Sequence, residues 1–175
     1  VIKPVTLSAP PPTRVIPDRI EAASFLALGA LAAEELTVLG VSPHHLDAVV
    51  DVLVRMGVPV TMDRDSITVR APETLLPARV RTHEYPGFPT DAHPPTMILL
   101  TQAMGESVLI ESVFDGRLNY LPELVSMGAD IILISPHRAR VVGKRALKAA
   151  NIMSPDIRAG LAFILAAIIA YVCFY

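Results

Sequence analysis

This 175-residue chain starts the same kind of helix three times, and that repetition limits its possible folds more than any other property. Pro17-Asp18-Arg19-Ile20-Glu21 leads into AASFLALGALA, and Pro89-Thr90-Asp91 leads into AHPPTMILLTQAM. Ser154-Pro155-Asp156-Ile157-Arg158 leads into AGLAFILAAIIA. Each opening carries helix-entry chemistry. Asp18 can cap, with Glu21 placed to complete a capping box. Ser154 can cap, with Pro155 where a missing N–H costs nothing. Asp91 can cap as well, with Pro94 and Pro95 delaying the helix after it. The helices are apolar nearly all round, which predicts burial rather than an amphipathic surface position.

A second pattern repeats between these starts. LDAVVDVLVRMGVPVTMDRDSITVR begins at Leu46 and LNYLPELVSMGADIILISPHRARVV at Leu118. Met56-Gly57 and Met127-Gly128 align, each glycine standing at the C′ position of an amphipathic helix. A β-hairpin follows, turning at Asp63-Arg64-Asp65 or at Ser135-Pro136-His137. Leu36–Leu39 and Val108–Val113 read as strands between the two helices of each unit. The unit is therefore strand, buried helix, strand, exposed helix, hairpin. Two copies are nearly complete and a third has begun. Such units bury their faces only against one another, so the expected class is α/β with helices inside and sheets around them. Residues 1–16 form a proline-rich lead-in, and 17–175 the repeat-built domain.

Composition closes off several function classes. Hydrophobic residues make up 52% and charged residues 18%, which excludes general disorder. The net charge of −2 gives no basic field for nucleic acid. The basic cluster around Arg138, Arg140 and Arg145 lacks interleaved aromatics and reads as a solvated face. Cys173 is the single cysteine, so there is no internal disulfide, and the chain suits a reducing compartment. No histidine stands at a zinc-ligand spacing, and His44-His45 reads as a loop or cap. Neither a metal nor a cofactor is expected. Val1 in place of Met points to a processed or truncated chain. Ala159–Tyr175 holds no charged residue. It reads either as a membrane anchor or, in the favoured reading, as a buried helix entering a buried strand.

VIPDRIEAASFLALGAL, YPGFPTDAH, ESVFDGRLNYLPELVSMGADI and SPDIRAGLAFILAA jointly resemble the UDP-N-acetylglucosamine enolpyruvyl transferases, over Arg14 to Ala170. The resemblance implies an inside-out α/β barrel-type domain of three such units, with a second domain outside this chain. It implies transfer of an enolpyruvyl group from phosphoenolpyruvate to the 3-hydroxyl of UDP-N-acetylglucosamine, by addition and then elimination, in the cytoplasm. A hydroxyl must lose a proton, a vinyl carbon must gain one, and phosphate must be held. Carboxylates and guanidinium forks suit those tasks.

By the same resemblance, Asp91 matches the aspartate at the sugar hydroxyl, proposed there as its base. Val113 matches a backbone position touching the nucleotide sugar, and Arg117 a cleft arginine. Asp156 and Arg158 match a second aspartate and arginine of the cleft. Read from the residues alone, Asp91 and Asp156 are helix caps, Arg117 is a surface partner of Asp115, and Arg158 a rim charge. Two departures stand out. His93-Pro94-Pro95 replaces a segment that usually holds glutamine, and Asp115-Gly116 stands where an acid and Asn are common. Two alternatives remain at this point. One is the shikimate-pathway enolpyruvyl transferase. The other is a non-catalytic sugar-nucleotide binding module with an apolar C-terminal anchor.

Overall fold

The computed structural model describes residues 12–153 and 157–172. The first unit consists of α1 (Arg19–Ala32), β1 (Glu35–Leu39), α2 (Asp47–Arg55), β2 (Val60–Met62) and β3 (Ser66–Arg70). The second consists of β4 (Arg79–Arg81), α3 (His93–Gln102), β5 (Gly105–Ile110), α4 (Leu121–Ser126), β6 (Asp130–Ser135) and β7 (Arg138–Gly143). A last helix, α5, spans Ile157–Val172. The helix, strand, helix and hairpin read from sequence recur in both units, while among the described residues the leading strand stands only in the second.

Local chemistry explains the boundaries. Asp18 caps α1, its Oδ1 accepting from the backbone N of Ile20 at 2.8 Å and of Glu21 at 3.3 Å. Glu21 makes no reciprocal side-chain bond among the described residues, so the cap is single rather than a box. The ends of α2 and α4 are the same motif made twice. Val58 N donates to Leu53 O at 3.0 Å and Gly57 N to Val54 O at 2.9 Å. Ala129 N donates to Leu124 O at 3.0 Å and Gly128 N to Val125 O at 2.9 Å. Gly57 and Gly128 have φ of +84° and +99°, which side chains other than glycine rarely adopt.

Each hairpin joins its own sheet. In the first sheet, β3 lies between β1 and β2, antiparallel to both, with Val38 opposite Ile67 and Thr61 opposite Thr68. In the second, the order is β4-β5-β7-β6, with β4 parallel to β5 and the remaining pairs antiparallel. The fourth strand, β4, is a strand the repeat pattern did not locate. Residues 12–18, at the corresponding place before α1, form none. The two sheets are open and separate, and the described residues close no barrel.

The helices are the core. Every residue of α3 is buried, and α3 packs against both α1 and α5. Leu99, Leu100 and Ile98 are fully enclosed, each such side chain contributing roughly 1.5–3 kcal/mol of burial. Gly29 lets α1 approach its sheet, since a Cβ there would lie 2.6 Å from Val69 Cγ2 and 2.8 Å from Leu36 Cβ. The Ala159–Tyr175 segment resolves toward the buried helix. α5 buries Ala159, Phe163, Leu165 and Ala166. No helix of the described residues is long and apolar enough to cross a membrane. The strand expected after it, with Cys173, lies outside the described residues, as do Ser154 to Asp156.

Candidate functional site

Two loops of the second unit meet at one end of α3. The first is FPTD, whose Thr90–Ala92 forms a 3-10 turn running directly into α3. Pro94 and Pro95 occupy the first turn of α3, where their missing N–H groups are not needed. Asp91 therefore starts no regular helix, and the capping expected of it is not what its carboxylate does. Its Oδ1 accepts from Arg117 Nη1 at 3.0 Å. The partner expected for Arg117, Asp115, instead lies 3.2 Å from His137 Nε2. Arg117 also stands over the Phe114 ring, 4.8 Å from its centroid. Asp91 keeps about a third of its side chain (35%) exposed and Arg117 19%, so the pair borders the surface without being a free surface bridge.

The second loop leaves β5. The strand was expected to run to Val113 but ends at Ile110, and the physical reason is Glu111. Its side chain is wholly buried and turns back on the following backbone. Glu111 Oε1 accepts from Val113 N at 2.8 Å and Phe114 N at 3.0 Å. Oε2 accepts from Thr90 Oγ1 at 2.7 Å. His93 Nε2 lies 3.4 Å from the same oxygen, and His93 Nδ1 is 3.0 Å from Tyr120 Oη. Nδ1 and the tyrosine hydroxyl pair with each other, either atom donating according to the tautomer. Burial pushes the Glu111 carboxyl upward, but hydrogen bonds from Thr90, Val113, Phe114 and Thr82 outweigh it and hold the group below its ordinary value. It is a buried anion satisfied on both oxygens.

Val113 and Phe114 line a shallow cleft with Arg81, Asp115 and His137. The site residues read from sequence thus divide. Asp91, Val113 and Arg117 are brought together, Asp91 and Arg117 by direct contact and Val113 through Glu111. Asp156 lies outside the described residues, and of Arg158 only the backbone, in the first turn of α5, is described. Glu111, Thr90, His93 and Tyr120 were missed. The available signal was a lone acid in the apolar run VLIESVF, where an unpaired charge would be costly. Both departures also gain an account. Gly116 has φ of +72°, the left-handed region open to glycine and tolerated by Asn. His93 is buried between Glu111 and Tyr120. Among the described residues no cluster of His, Cys, Asp and Glu is arranged to hold a metal.

Against known proteins, residues 1–172 match the family model described as EPSP synthase (3-phosphoshikimate 1-carboxyvinyltransferase). The chain is 43% identical over 157 residues to a protein of Koribacter versatilis named UDP-N-acetylglucosamine 1-carboxyvinyltransferase, covering 90% of this chain and 36% of that one. A protein of the same name from Campylobacter jejuni (strain 81-176) is 43% identical over 156 residues, covering 89% and 37%. The chain thus spans little more than a third of the length of these relatives. Among solved structures, the enolpyruvyl transferase NikO from Streptomyces tendae superposes with a TM-score of 0.81 at 28% identity, covering 89% of this chain and 37% of that one. EPSP synthase from Acinetobacter baumannii, at 20% identity and a TM-score of 0.67 over 88% of this chain and 39% of that one, shares the fold. The repeated units, the two open sheets around buried helices and the match over nearly the whole chain lead to one conclusion: this chain belongs to the EPSP synthase family of enolpyruvyl transferases.

Proposed function

We propose that this chain is the part of a UDP-N-acetylglucosamine 1-carboxyvinyltransferase that presents the sugar's 3-hydroxyl to its base. The observation that carries the reading is the pairing of Asp91 with Arg117 beside the Val113–Phe114 turn. A carboxylate oriented by a guanidinium that itself stands over Phe114 suits proton removal from a hydroxyl. Val113 offers backbone contact to the sugar nucleotide alongside it. Asp156 and Arg158 complete the cleft in this reading, and a second domain, outside this chain, contributes the phosphoenolpyruvate contacts. Residues 17–175 act as one repeat-built domain after the lead-in 1–16, in the cytoplasm, in the supply of peptidoglycan precursors. The names carried by the relatives at 43% identity support the sugar nucleotide as acceptor.

The family model's own description favours a second reading, with shikimate 3-phosphate as acceptor. One experiment separates the two. The encoding locus is sequenced outward from both ends of this chain, and the complete product is supplied with phosphoenolpyruvate and either acceptor. Phosphate release with UDP-N-acetylglucosamine alone is expected, and release with shikimate 3-phosphate alone reverses the assignment. The 175-residue chain by itself should release none; turnover by it would remove the need for a second domain.

A further inference from the structure

We propose that Glu111 is a positioning residue for the candidate site, a role that rests on the functional reading above. Its one buried carboxylate holds both loops of that site. Oε1 takes the amides of Val113 and Phe114, fixing the backbone that lines the cleft. Oε2 takes the Thr90 hydroxyl, fixing the turn that carries Asp91. Thr90 and Asp91 are adjacent, and both are tied to the same loop, one by Glu111 and the other by Arg117. The second tie crosses an exposed edge, whereas the first is sealed beneath it. The Glu111 amide is itself bonded to the His137 carbonyl at 2.8 Å, and Ser112 N to Thr82 Oγ1 at 2.8 Å, so the clamp is anchored to the turn before β7 and to the residue after β4. His93 and Tyr120 back it from α3 and from the start of α4. The titratable groups around the carboxylate are therefore His93 and, through it, Tyr120, with Asp91 and Arg117 on the loops it joins.

An anion in this place does what a neutral group of the same shape does not. It accepts from the Thr90 hydroxyl and two backbone amides at once, with the Thr82 hydroxyl also bonding it and the His93 imidazole beside it. Glu111→Gln keeps the volume but not the bonding. With its N–H₂ toward the Val113 and Phe114 amides donor meets donor, and with its N–H₂ toward Thr90 the hydroxyl must turn from donor to acceptor.

The test uses the complete protein that carries this chain, with UDP-N-acetylglucosamine as the probe. Affinity is measured by calorimetry and the Val113 and Phe114 amides by selective ¹⁵N labelling. Glu111→Gln is expected to move both amide resonances and to weaken binding by roughly 10- to 100-fold at neutral pH, the range for a lost charge-assisted hydrogen bond. Thr90→Val is expected to weaken binding in the same direction while Thr90→Ser, which keeps the donor, retains it. A purely structural role would lower the melting temperature without that split between Val and Ser. Wild-type resonances and affinity in Glu111→Gln overturn the positioning role and leave the functional reading standing. A wild-type protein that binds no sugar nucleotide overturns the functional reading and this role with it, and the amide shifts then show separately whether the clamp exists.

Discussion

Asp18 and Asp91 occupy the same place in two copies of one repeat, yet they do different work. Asp18 directs its carboxylate at the amides of its own helix. In the second unit a 3-10 turn and two prolines take over the helix start, and the Asp91 carboxylate turns to Arg117, 26 residues away. The connection after the middle strand differs in the same sense. After β1, Gly40 to Ser42 lead promptly into a 3-10 turn and α2. After β5, Glu111 through Tyr120 form a loop organised around a buried carboxylate. A repeat can thus keep its scaffold and change its chemistry by relieving one side chain of a structural duty. The first unit is held at that end by a local cap, and the second by contacts between distant segments.

The largest expected effect divides the two aspartates by function. In the complete protein, Asp91→Asn should slow phosphate release by about 10²- to 10⁴-fold, the usual worth of a general base, with little change in melting temperature. Asp18→Asn, which retains a capping side chain, should leave the rate near wild type. Equal losses from both would erase the distinction between the units.

The next effect is on acid stability. The folded state holds the Glu111 carboxyl below its ordinary value of 4.5, so the unfolded chain takes up the proton first. The stabilisation is complete above that value and is lost as pH falls through the lower folded value. Melting temperatures measured from pH 7 down to pH 3 should fall more steeply for wild type than for Glu111→Gln. Parallel curves would mean that the carboxylate is not held as an anion.

Smaller effects sharpen the likeness of the two units rather than their difference. Gly57→Ala and Gly128→Ala should each cost about 1–2 kcal/mol, because each forces a side chain into the left-handed region. Gly128→Ala should be the costlier of the two. Its Cβ would stand 3.2 Å from the Ala146 carbonyl oxygen, whereas the nearest atom to one at Gly57 is 3.6 Å away. Chemical denaturation measures both. Asp18→Ala should cost about 1 kcal/mol by removing the cap of α1. Least of all, Asp51→Asn, which removes an exposed pair with Arg55, should cost no more than about 0.5 kcal/mol.

Much of the fold was legible in the sequence because its signals are local. A cap lies within three residues of the amides it serves, a C′ glycine within five of the carbonyls it satisfies, and apolar helices announce their burial at every position. That is why α1, α3, the two matching helix ends and both hairpins stand where the repeat placed them. β4 was not located because three residues, Arg-Val-Arg, carry too little periodicity, and only its pairing with β5 makes it a strand.

The site follows the opposite logic. Residue type and order alone determined that the chain is built from repeated α/β units, and grouped Asp91, Val113 and Arg117 only through a resemblance. Only the tertiary structure decided that Asp91 pairs with Arg117 instead of capping, that Asp115 turns to His137, and that Glu111 ends its strand and binds Thr90 from 21 residues away. The physical reason is that a carboxylate's role is set by the donors within about 3 Å of its oxygens. Here those donors come mainly from segments that meet only once the helices are packed.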